Sequence, residues 1–92
     1  MSTATAQSVP KLRRGVRRQF DAARGQNLLQ CPERVVLLDD IANAIIELCD
    51  GQRSIAEISR TLAARYEEEA ALVEEDVRGF VTELLEKGLV TI

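Results

Sequence analysis

The feature that most restricts the fold is a change of hydrophobic period at Asp39. Ahead of it, apolar residues come in short runs bounded by turn formers. Beyond it, they recur every three to four positions almost to the end of the chain. Ile41, Ile45, Leu48 and Cys49 form one such stripe, and Ile55, Ile58, Leu62 and Tyr66 a second. Val73, Val77, Phe80, Val81 and Leu84, with Leu85 beside them, form a third. Each is the face a helix turns towards a core. Punctuation separates the stripes. Asp39-Asp40 offers carboxylates to the free amides of a first helical turn. Asp50-Gly51 stops that helix, with Gly as its left-handed cap. Ser54 and Glu57 have the spacing of a capping box. The like charges of Glu67-Glu68-Glu69 discourage the second helix from continuing. The third helix is expected to start near Val73 and to end at Lys87-Gly88.

The runs upstream read as strands. From Val16 to Asp21, alternation places Val16, Arg18 and Phe20 on one face and Arg17, Gln19 and Asp21 on the other. Arg24-Gly25-Gln26-Asn27 is a turn, Leu28–Cys31 a second strand, and Pro32-Glu33 an interruption that cannot complete a ladder. Arg34–Leu38 is a third strand. It is apolar at consecutive positions, the pattern of a strand covered on both sides. Leu89–Ile92 is a short terminal strand or an extended tail. The order defines an α+β fold, with three N-terminal β-strands followed by a three-helix bundle and a winged helix-turn-helix-like outline. Residues 1–12 have no period and read as a flexible N-terminal arm. Residues 13–92 read as a single domain, which is all that 92 residues allow.

Composition narrows the chemistry. The chain has no His and no Trp, and its aromatic residues are Phe20, Tyr66 and Phe80. Ser–His and Cys–His nucleophile pairs, His-ligated metals and His proton shuttles are therefore excluded. The acid pairs Asp39-Asp40 and Glu74-Glu75 are adjacent, so on a helix they diverge, and capping explains them. Cys31 and Cys49 form no Cys-x-x-Cys unit and read as buried free thiols. No catalytic residue, metal site or cofactor is expected. Membrane spans and signal peptides leave no trace, and a cytoplasmic location is the default expectation.

Charge is divided along the chain. Residues 1–34 carry +5 and residues 35–92 carry −8. A basic arm beside a winged-helix outline raises the possibility of a DNA-binding regulator. The third helix speaks against it. Glu74, Glu75, Asp76, Glu83 and Glu86 outnumber Arg78 and Lys87, and such a helix is repelled by phosphates. No nucleic-acid partner is expected.

A strand such as Val35–Leu38, if it lies at a sheet edge, can accept an extended peptide as an added strand, and an apolar helix face beside it supplies side-chain pockets. The bland alternatives are plain core and a bare oligomerisation module. Here the ordered set of residues resembles a known family. It comprises Leu28-Leu29-Gln30-Cys31-Pro32-Glu33, Val36-Leu37-Leu38, Ala42, Ile45, Leu48-Cys49-Asp50-Gly51 and Arg53-Ser54-Ile55-Ala56-Glu57-Ile58. Leu62, Tyr66, Asp76-Val77, Phe80-Val81, Leu84-Leu85 and Gly88-Leu89 complete it. From about Val9 to Ile92 the chain resembles the PqqD family, accessory proteins of pyrroloquinoline quinone biosynthesis.

The resemblance implies a non-catalytic peptide chaperone that binds the precursor peptide PqqA and presents it to the radical S-adenosylmethionine enzyme PqqE. It implies a cleft between third strand and third helix, here Val35, Val36, Leu37 and Leu38 with Val77, Phe80, Val81 and Leu84. Ile41 departs from the family, where a small polar cap is common, so Asp39 or Asp40 must cap the first helix. A homodimer is a further possibility, through the exposed strand or an exchanged arm.

Overall fold

The structure is a computed structural model that describes residues 3–92; Met1 and Ser2, the first residues of the expected arm, lie outside the described residues. Its elements are β1 (Lys11–Leu12), β2 (Arg17–Asp21), β3 (Gln26–Gln30), β4 (Val35–Leu38), α1 (Asp40–Glu47), α2 (Ile55–Tyr66), α3 (Ala70–Glu86) and β5 (Val90–Thr91). The α+β character and the three helices agree with the sequence reading. The strand count does not. There are five strands in two sheets, an antiparallel β2-β3-β4 meander and a small antiparallel β1-β5 pair. Of the two beyond the meander, β5 lies within the expected terminal segment Leu89–Ile92, and β1 is two residues long, too short for an alternation to register.

The N-terminal segment is packed rather than loose from residue 4 onward. Ala4 and Pro10 are buried. Ala6 and Ser8 offer their carbonyls to the amides of Ala56 and Ile55, and Pro10 accepts from Gly51. The segment thereby satisfies open amides at the start of α2, a role in main-chain bonding that side-chain pattern cannot reveal. Gly51 is where it crosses. With φ at 78° and Lys11 Cδ 3.0 Å from where a Cβ would stand, that position admits only glycine without adjustment.

Helix boundaries follow their caps. Asp39 accepts from the Ala42 amide at 2.8 Å and so caps α1. That helix ends at Glu47, ahead of the expected Asp50-Gly51 stop; Asp50 instead folds an Asx turn over Gln52 and Arg53. The Ser54–Glu57 capping box is complete. The acidic run separates α2 from α3, with Glu67 left-handed at φ 55°. α3 starts at Ala70, three residues before the expected Val73, because Ala70, Ala71 and Leu72 are strong helix formers. It ends in a Schellman motif, Leu89 N–H to Leu84 O and Gly88 N–H to Leu85 O.

The core lies between α2, α3 and one face of the meander. Leu29, Ile55, Ile58, Val77, Val81 and Val90 are its most deeply buried members. Both thiols are buried in it. Burial, and secondarily the Asp50 carboxylate, pushes the Cys49 thiol up to about 12.

Candidate functional site

β4 has one ladder partner. It pairs with β3 through Gln30–Val35, Leu29–Val36, Leu28–Leu37 and Asn27–Leu38, and its other side is a sheet edge. The Cys31 amide bonds the Arg34 carbonyl at 2.9 Å, which makes that facing pair a hydrogen-bonded one. Antiparallel ladders alternate, so Val36 and Leu38 spend their main-chain groups on β3, while Val35 and Leu37 turn theirs to the free edge. Those are the groups an added strand would engage.

Side chains alternate the other way. Leu38 is buried and Val36 half-buried against the core. Val35 and Leu37 point to the opposite face, 49% and 67% exposed. The strand expected to be covered on both sides is therefore covered on one. Leu28 joins Val35 and Leu37 on the open face, over a hollow of about 420 Å³ edged by Asp21, Arg24 and Gln26. An unpaired edge that exposes Val35 and Leu37 is a template on which another extended chain can pair.

Of the expected helix residues, Val77, Val81 and Leu84 are buried at 1%, 0% and 3%, so they hold α3 in place from beneath. Phe80 is half-buried and packs on the core from its edge. The eight expected residues thus occupy three situations: Val35 and Leu37 on the outer sheet face, Val36 and Phe80 half-buried against the core, and the remaining four within it.

β4 and α3 are bracketed at both ends. Arg34, at the start of β4, donates from its guanidinium to the Lys87 carbonyl just past α3, at 3.1 Å. At the other end Ile41, just past β4, shares a cavity of about 440 Å³ with Val73, Asp76 and Val77 of α3. The chain entering β4 thus lies by the end of α3, and the chain leaving it by the start of α3. Ile41 and Leu72 are 52% and 55% exposed at that cavity's rim, beside Tyr66. Sequence reasoning placed Ile41 and Tyr66 in core stripes and passed over Leu72. Its signal was an apolar residue outside any stripe.

Among the described residues, no cluster of three or more His, Cys, Asp or Glu is arranged to hold a metal, and no helix is long and apolar enough to cross a membrane.

The sequence and fold have counterparts among known proteins. Residues 28–90 match the family described as Coenzyme PQQ synthesis protein D (PqqD). A PqqA binding protein of Xanthomonas campestris pv. campestris (strain 8004) is 47% identical over 92 residues, all of both chains. The solution structure of the PqqD truncation of Methylobacterium extorquens PqqCD, a stand-alone recognition element for ribosomally synthesised and post-translationally modified peptides, is 34% identical. It superposes with a TM-score of 0.85 over 97% of this chain and 95% of its own. The crystal structure of PqqD from Xanthomonas campestris is nearer in sequence, at 46%, yet less alike in shape, with a TM-score of 0.62 over 98% of this chain and all of its own. A lasso peptide synthetase B1 complexed with leader peptide shares the fold at 24% identity, with a TM-score of 0.76 over 92% of this chain and all of its own. The fold is thus that of a peptide recognition element. Within that class, the chain belongs to the PqqD family of coenzyme PQQ synthesis proteins.

Proposed function

We propose that this chain is a non-catalytic chaperone of pyrroloquinoline quinone biosynthesis. It binds the precursor peptide PqqA along the free edge of β4, beside α3, and hands it to the radical enzyme PqqE. The observation that carries the reading is the open edge of β4, with the main-chain groups of Val35 and Leu37 facing outward and apolar side chains on either side. An extended peptide added there alternates its side chains between the α3 margin, at Val36 and Phe80, and the outer hollow, at Leu28, Val35 and Leu37. Val77, Val81, Leu84 and Leu38 serve beneath, fixing the distance between strand and helix. α3 does not read DNA, because Glu75, Asp76, Glu83 and Glu86 lie exposed along it and would be repelled by phosphates.

Calorimetric titration with PqqA tests this. The unaltered chain binds, and Leu37→Pro abolishes or strongly weakens binding while leaving the fold intact. The substitution removes an amide the docked strand needs and no bond to β3. A Leu37→Pro chain that folds and binds PqqA as before contradicts edge docking.

A further inference from the structure

The margin between β4 and α3 is chemically different at its two ends. At the α1 end lies the cavity of Ile41, Leu72, Tyr66 and Val73, whose rim carries the acids Glu68 and Asp76. At the other end a hollow of about 390 Å³ gathers Arg13, Arg14, Arg34 and Lys87, with Glu33 the one acid among them. Lys87 pairs with Glu83 at 2.9 Å. Among the described residues, Arg13, Arg14 and Arg34 have no carboxylate within ion-pair distance. Exposed guanidinium groups that outnumber the acid at one end, and carboxylates at the other, set up a field between the two.

We propose that this groove reads both ends of a bound peptide. The cavity at Leu72 takes an apolar or aromatic side chain, and Arg34 with Arg14 takes a carboxylate. The inference rests on edge docking at β4 and adds register and direction to it. Charge complementarity fixes the order. A peptide carboxylate is repelled by Glu68 and Asp76 and attracted by the arginines, so a bound strand cannot reverse without placing like charges together. The span follows from α3. From Val73 to Lys87 a helix advances about 21 Å, which an extended strand covers in about six residues. The occupant is therefore a peptide with an apolar side chain and a carboxylate about six positions apart.

The test is calorimetric titration of PqqA into the full chain and into Leu72→Ser and Arg34→Gln, at low and moderate salt. Both substituted residues are exposed, and since Arg34→Gln gives up the bond to the Lys87 carbonyl, a thermal melt of each variant checks that the fold is retained. The unaltered chain binds more weakly as salt rises. Leu72→Ser lowers affinity about tenfold and keeps the salt dependence. Arg34→Gln lowers affinity about threefold and flattens the salt dependence. Replacing PqqA carboxylates one at a time by amides identifies a position whose loss no longer adds to that of Arg34→Gln, the mark of a direct pair. If PqqA binds, and Leu37→Pro prevents it, but both end variants bind like the unaltered chain, the two-ended reading is wrong and edge docking stands. If PqqA does not bind the unaltered chain, both fall.

Discussion

Single residues carry much of the stability of so small a core. Ser54 and Glu57 satisfy each other's backbone amides at the start of α2, at 3.1 and 2.9 Å. Ser54→Ala should cost about 1 kcal/mol in chemical denaturation. The Ser54 amide, and then its hydroxyl, hold the Glu57 carboxyl below its ordinary 4.5. The Gln52 amide, foremost, does the same for Asp50 below its ordinary 3.8. As pH falls, the unfolded chain takes up these protons first. The stabilisation is whole above the ordinary values and is lost as pH drops through the lowered ones. Glu57→Gln keeps the box geometry and should show a shallower acid decline in denaturation midpoints measured from pH 6 to pH 3. Glu67 is a further case. Its left-handed backbone, at φ 55°, strains any side chain, so Glu67→Gly should stabilise by up to about 1 kcal/mol despite the flexibility glycine adds. A thermal melt that moves down on Glu67→Gly would contradict this.

At the scale of elements, β4 and α3 flank the proposed site, and Phe80 is half-buried on α3, packed against the core. A fully buried Phe→Ala costs about 3–5 kcal/mol. Half-buried at the margin, Phe80→Ala should cost about half of that and weaken PqqA binding together with stability, as paired denaturation and titration would show. The helices were legible in the sequence because caps and stripes agree: Asp39, the Ser54–Glu57 box and Gly88 all sit where the chain turns. The start of α3 was misplaced because Ala70 and Ala71 carry propensity without stripe. β1 escaped notice because main-chain pairing, not side-chain pattern, makes it a strand, whereas β5 falls inside the expected terminal segment Leu89–Ile92. The N-terminal segment was misread for the same reason: its partners are the amides of Ile55 and Ala56. For the site, the edge strand and the helix beside it were readable. Which residues face outward was not, since Val35-Val36-Leu37-Leu38 is apolar at every position and its alternation appears only when one face is left open. Leu72 was missed because an isolated apolar residue on a helix signals nothing until Ile41 is brought opposite it.

For the whole molecule, the division of charge along the sequence becomes a division in space. The basic N-terminal third gathers Arg13, Arg14 and Arg34 at one end of the groove, and the acidic remainder lines the outside of α3 and the opposite end. A chain without His or Trp, with its thiols buried and Cys49 pushed up to about 12, offers a bound peptide little that reacts with it. Docking at the β4 edge is decided by a backbone-amide NMR titration of the full chain with PqqA. The largest shifts are expected at Val35 and Leu37, whose amides face the free edge, with Phe80 following and the α2 amides still. Shifts confined to α2 or the β1–β5 pair, with Val35–Leu38 unmoved, would contradict it.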